Sequence, residues 1–134
     1  MTVSISTVHV LVNDPDAAVS FYRDTLGLTV QNEVAREGFR WIVLSTPNQP
    51  EIQIVLSQPQ AGRSKEDGEA IAALLAKGEL GGINFSTEDL DATFEKAAAA
   101  PGVEVLQEPV SQPWGVRDAA LRDPAGNTVR IQQA

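Results

Sequence analysis

Few side chains in this chain of 134 residues are equipped for acid–base or covalent chemistry. There is one histidine, His9, and no cysteine. An unperturbed histidine titrates near neutrality, so His9 could act as a general base. The sequence supplies no matched nucleophile or oxyanion site to work with it, and a lone histidine in a strand commonly packs or hydrogen-bonds. Without cysteine there is no thiol nucleophile, thiolate metal site or disulfide framework. No residue is assigned a catalytic role on these grounds.

Other residues suit binding better. Trp41 and Trp114 each offer a large flat surface and one N–H donor, which fits a planar or cationic ligand. Packing in a core or between subunits would use them equally well. Gln53, Asn84 and Arg130 lie in strand-like segments and are candidates, with His9, for lining a groove. Arg40 and Trp41 are adjacent in a strand and point to opposite faces, so at most one of them looks into such a groove.

These residues sit in a sequence that repeats itself. Residues Val12–Glu33 match Thr87–Glu108 at an offset of 75, with Asp14/Asp89, Asp16/Asp91, Gly27/Gly102 and Val30/Val105 among the identities. Residues Gly38–Ile54 match Gly115–Ile131 at an offset of 77, with Arg40/Arg117, Leu44/Leu121 and Pro47/Pro124. Chance would give about one or two identities in each window, so an internal repeat is the better account. The equivalence of Arg40 and Arg117 points to a structural ion pair with Asp or Glu.

Each copy reads β-α-β-β-β, an α+β architecture of two tandem modules. The first module covers residues 1–56. Strand-like alternation runs over Val3–Val12, and Asp14-Pro15 opens a helix that carries Ala18, Phe21, Tyr22 and Leu26 and stops at Gly27. Strands are predicted over Leu28–Glu33, Phe39–Thr46 and Glu51–Leu56. The second module, residues 79–134, repeats this with strands over Gly82–Ser86, Val103–Leu106, Arg117–Arg122 and Thr128–Gln132, and a helix over Leu90–Ala99. Asp123–Asn127 reads as a tight structural turn. Residues 57–78 form a linker in which Ser64 and Asp67 have capping-box spacing and Gly78 ends a helix. That helix suits covering a sheet edge or a subunit boundary.

Alternation assigns the faces. Val8, Val10 and Val12 oppose Thr7, His9 and Leu11, while Ile54 and Leu56 oppose Gln53 and Val55. Ile83 and Phe85 oppose Gly82, Asn84 and Ser86; Val129 and Ile131 oppose Thr128, Arg130 and Gln132. One face of each sheet therefore packs under helices. The other is mixed and polar, and two copies closing around it would form a ligand-binding concavity, the whole making a curved mixed sheet with a groove.

The formal charge of −8 argues against nucleic-acid binding, which needs a basic face. No apolar run is long enough to span a bilayer, and the first ten residues lack a signal-peptide pattern. A soluble, cytoplasmic protein is expected, with no membrane partner.

Duplicated β-α-β-β-β modules, with Val12-Asn13-Asp14 leading to Phe21-Tyr22 and Leu26-Gly27, resemble the vicinal oxygen chelate superfamily of glyoxalase I, bleomycin-resistance proteins and extradiol dioxygenases. The stretch from Trp114-Gly115-Val116-Arg117-Asp118 to Asp123-Pro124-Ala125-Gly126-Asn127-Thr128-Val129-Arg130 is similar to the bleomycin-resistance-like branch. Enzymes of the superfamily hold a divalent metal with His and Glu on the first and last strands of each module. The resemblance places those ligands at Thr7, Gln53, Gly82 and Arg130, none of which is a good donor, and Arg130 adds a fixed positive charge. A shifted site at His9 and Glu51 would still have only two good ligands. No metal and no other cofactor is expected. In place of the metal, Arg130 could bind an anionic group such as a carboxylate.

The resemblance implies a metal-independent small-molecule-binding protein that sequesters a drug or metabolite, as a homodimer with grooves built from both subunits. The alternative is a lyase, isomerase or dioxygenase with an atypical or absent metal site. A third possibility is a fold retained as a dimerising or regulatory module.

Overall fold

A computed structural model of the chain describes residues 2–134. Its first module contains β1 (Thr7–Leu11), α1 (Pro15–Val19, continued by a π-helical segment Ser20–Thr25), β2 (Thr29–Arg36), β3 (Phe39–Ser45) and β4 (Gln53–Ser57). Then come α2 (Lys65–Ala76) and the second module: β5 (Gly82–Thr87), α3 (Leu90–Ala98), β6 (Glu104–Ser111), β7 (Arg117–Arg122) and β8 (Thr128–Gln133). The eight strands divide into two four-stranded mixed sheets, β1-β4-β3-β2 and β5-β8-β7-β6, rather than one continuous sheet. Among the described residues no helix is long and apolar enough to cross a membrane.

Local chemistry explains the helix boundaries. Asp14 caps α1 by accepting from the amides of Asp16 and Ala17, with Pro15 at the first helical position. Asp89 caps α3 in the same way through the amide of Ala92. The π-helical widening was not legible in the 3.6-residue pattern; within it Phe21 and Tyr22, adjacent in sequence, are both buried. Gly27 ends the segment in the left-handed conformation that its repeat-equivalent Gly102 also adopts, as a residue without Cβ can. In the linker, Ser64 Oγ accepts from the amide of Asp67 at 3.1 Å, and α2 begins at Lys65 as that cap requires.

Strand lengths follow their partners more than their patterning. The alternation from Val3 predicts a longer first strand, but β1 begins only at Thr7, where its parallel partner β4 begins with Gln53. β4 starts at Gln53 rather than Glu51. β6 runs on to Ser111, past the Leu106 expected as its end, and accommodates Pro109 within a register shift between Gln107 and Val110.

The helix-side residues of both sheets enter one core. Val10, Ile42, Leu44, Ile54 and Leu56 from the first sheet meet Ala119, Leu121, Val129 and Ile131 from the second, with Phe21, Tyr22, Leu75, Leu90 and Ala97 from the helices. A buried polar junction reinforces it. Asp123 Oδ1 accepts from the amides of Ala125, Gly126 and Asn127, each at 2.9 Å. Its Oδ2 accepts from Tyr22 Oη at 2.5 Å and from Asn127 Nδ2 at 3.0 Å. Asn127 Nδ2 also donates to the Leu11 carbonyl at 2.8 Å. The turn expected to be merely structural thus fastens the second module to α1 and β1 of the first.

Candidate functional site

The ion pairs of two arginines settle which way the third strand of each module faces. Arg40 binds Asp16 at 2.7 Å and Glu33 at 3.0 Å, and Arg117 binds Asp91 at 2.7 Å. Asp16 and Asp91 occupy equivalent first turns of α1 and α3, so both arginines lie on the helix side, in the structural role their equivalence suggested. The next residues, Trp41 and Asp118, therefore lie on the opposite, polar faces. Because the apolar faces of both sheets share one core, these polar faces look away from it. Cavities between the modules are nonetheless lined by residues of both, His9 with Gly82 in one and Asn48 with Asn84 in another.

On the second module the polar face carries a built constellation. Asn84 pairs with Arg130, and Ala120 with both Arg130 and Gln107, so these residues form one row across the sheet. Asp118 is level with Gln132 in the next row and is only 3% exposed. Gln112 Nε2 donates to Asp118 Oδ1 at 2.9 Å, Gln107 Nε2 donates to the same oxygen at 3.0 Å, and Arg130 NH1 approaches Oδ2 at 3.3 Å. Hydrogen bonds from Gln112 and Gln107, with the Arg130 guanidinium, hold the Asp118 carboxyl below the usual carboxylate range despite its burial. It is ionised at neutral pH. Trp114 stands 70% exposed at the tip of the β6–β7 hairpin. That hairpin is closed by Gln112 N donating to the Val116 carbonyl at 2.7 Å and Gly115 N donating to the Gln112 carbonyl at 3.0 Å.

A cavity of about 450 Å³ lies over this face, lined by Asn84, Gln107, Gln112, Trp114, Val116, Asp118, Arg130 and Gln132. Three of the six residues singled out from sequence, Asn84, Trp114 and Arg130, meet there. The other three do not join them. His9 lines a separate cavity of about 330 Å³ at the junction of β1, α2 and β5, with Val10, Leu11, Ile71, Leu80, Gly82 and Asn127. Trp41 and Gln53 lie on the polar face of the first sheet and line neither cavity. Asp118, Gln107 and Gln112 were missed by sequence reasoning. The available signal was the Arg40/Arg117 equivalence, which makes Asp118 the counterpart of Trp41.

The strand register corrects one equivalence. Thr7 pairs with Gln53 and Gly82 with Thr128, while His9 pairs with Val55 and Asn84 with Arg130. Taking Thr7 with Gly82, the counterpart of Arg130 is Val55, not Gln53, and the offset of 77 returns to 75 in the last strand. The cause is the connection Asp123–Asn127, five residues against the seven of Thr46–Ile52. The positions that would hold a metal become Thr7, Val55, Gly82 and Arg130, and Arg130 is already paired with Asp118. These residues do not fit a divalent cation, and among the described residues no three His, Cys, Asp or Glu side chains cluster.

Two βαβββ modules on one core, each exposing a polar sheet face, define a paired-module α+β fold. The family model described as Glyoxalase/Bleomycin resistance protein/Dioxygenase superfamily matches residues 4–131, and the chain belongs to that superfamily. Among solved structures, UcmS2 is similar over the whole of both chains, with a TM-score of 0.86 and 31% identity. TnmS3, an antibiotic binding protein from Streptomyces sp. CB03234, has a TM-score of 0.73 and 25% identity over 99% of this chain and 98% of its own. The putative glyoxylase CFP32 of Mycobacterium tuberculosis is 31% identical over 118 residues, which are 88% of this chain and 39% of that protein. The chain therefore spans about two fifths of that relative's length.

Proposed function

We propose that this chain is a metal-independent small-molecule-binding protein that sequesters a drug or metabolite on the polar face of its second module. The observation that carries this reading is the cavity that unites Asn84, Trp114 and Arg130 over a hydrogen-bonded floor. Its volume of about 450 Å³ falls in the range of small-molecule pockets. Trp114 supplies an exposed flat surface for stacking. The similarity to TnmS3, an antibiotic binding protein, supports the same reading. In this reading a homodimer completes the site: the face bearing His9, Trp41 and Gln53 in one copy covers the Trp114 face of another. Exposed Val34, Val110 and Trp114 on the two sheets support that arrangement.

The experiment is a titration of tryptophan fluorescence with a panel of planar antibiotics, run on the wild type and on Trp114→Ala, with product analysis of each mixture. Saturable quenching without turnover, lost in Trp114→Ala, is expected. Turnover that survives chelator would transfer the chain to a metal-free enzyme class. Failure of every compound to bind would refute the binding role. Sedimentation equilibrium tests the dimer.

A further inference from the structure

A free arginine in a ligand cavity is an anchor for anions, but Arg130 is not free. Its NH1 lies 3.3 Å from Asp118 Oδ2, and the Asp118 side chain is 5% exposed whereas that of Arg130 is 39% exposed. The carboxylate is paired with the guanidinium through Oδ2 and held at Oδ1 by Gln112 and Gln107. A carboxylate arriving from the cavity would meet the guanidinium with the mostly buried negative charge of Asp118 beside it, 3.3 Å from NH1. The attraction to one would be largely offset by repulsion from the other, and the ligand would still lose its hydration. The chain's net charge of −8 acts in the same direction.

A cation fares no better. Asp118 lines the cavity but already accepts from three side chains, and the Arg130 guanidinium beside it repels a second cation. What the site offers is uncharged hydrogen bonding: the remaining N–H groups of Arg130 and the amide of Asn84 make no side-chain hydrogen bond among the described residues, and Trp114 provides a stacking surface at the rim. Building on the binding role proposed above, we infer that this site selects neutral, planar ligands bearing hydrogen-bond acceptors and rejects anions, and that Asp118 is the residue that sets this selectivity. Asp118 is a positioning residue, acting through Arg130. Such selectivity departs from the sequence-based expectation that Arg130 could bind an anionic group such as a carboxylate.

The test compares two probes of one shape, 2-naphthamide and 2-naphthoate, by equilibrium dialysis against the full chain at neutral pH. The wild type is expected to bind the amide about tenfold or more tighter than the carboxylate. In Asp118→Asn the floor keeps a hydrogen-bonding side chain but Arg130 loses its counter-charge, so the preference should narrow or invert by about tenfold. Arg130→Gln, which removes the cation, should keep the preference for the amide. Equal affinities, or a preference for naphthoate, in the wild type would overturn the selectivity and leave the binding role standing. Binding of neither probe at millimolar concentration would overturn both. If Asp118→Asn does not fold, the salt dependence of naphthoate binding to the wild type decides. A several-fold loss between low and high NaCl would mean an exposed cationic anchor and overturn the inference; a flat response supports it.

Discussion

The hydrogen bond from Tyr22 to Asp123 joins residues 101 apart in sequence and ties the first helix to the last turn. Tyr22→Phe removes only the hydroxyl. The ring keeps its edge-on contact with Phe21 at 4.9 Å and its tilted neighbour Phe85 at 6.5 Å. Both partners are buried, Tyr22 to 1% and Asp123 to 3% exposure, and the acceptor is a carboxylate. Hydrogen bonds to charged groups contribute about 1.5–3 kcal/mol, so Tyr22→Phe should lose roughly that amount in urea unfolding at neutral pH. Asp123→Asn should lose more, because it also weakens the three backbone contacts at Oδ1. In a double-mutant cycle the pair should show a coupling of about 1.5–3 kcal/mol, with one transition for the whole chain. Burial, then the charge of Asp123, then the hydrogen bond to it push the Tyr22 hydroxyl well above its ordinary value. A folded pKa above the unfolded one, near 10, gives stability that is full below pH 10 and is lost as pH rises beyond it. Tyr22→Phe should remove that part of the alkaline decline. A coupling below about 0.5 kcal/mol between two folded single mutants, or separate unfolding of the two modules, would refute the role of this junction.

Three further outcomes test the architecture. In α2, Leu75 is 1% exposed and Leu74 is 42% exposed, so Leu75→Ala should cost about 2–5 kcal/mol and Leu74→Ala much less, as read by thermal or urea unfolding. A Cβ at Gly82 would collide with the Thr128 carbonyl across the β5–β8 pair; Gly82→Ala should destabilise by about 1–3 kcal/mol, and an unchanged midpoint would place the register in error. After incubation with zinc, nickel, manganese or iron(II), metal content should stay well below one ion per chain. One tightly held ion, lost in His9→Ala, would show that the ligand assignment is wrong.

Much of the fold was legible because it is written locally. The Asp14 and Asp89 caps, the Ser64 cap, the glycine stops and the alternation along each strand depend on residues within a few positions of one another, and the repeat states those of the modules twice. The Arg40/Arg117 equivalence likewise anticipated paired ion pairs at the helix starts. Of the candidate site, Asn84 and Arg130 could be selected by type and strand parity, and Trp114 by type alone. Asp118 could not, since an aspartate in a strand announces neither its burial nor its three donors.

What the tertiary structure alone decided depends on contacts between distant residues. The register of β4 and β8 was hidden by connections of unequal length, which moved the counterpart of Arg130 from Gln53 to Val55. The outward direction of the polar faces followed from the two apolar faces sharing one core, an arrangement that parity within a strand does not specify. The charge state of the cavity floor followed from Asp118 meeting Arg130 across neighbouring strands. Sequence determined which elements form and which side chains share a face, because those are short-range properties of the chain. Packing decided which faces meet and whether a charge is free, because burial and ion pairing are properties of the assembled fold.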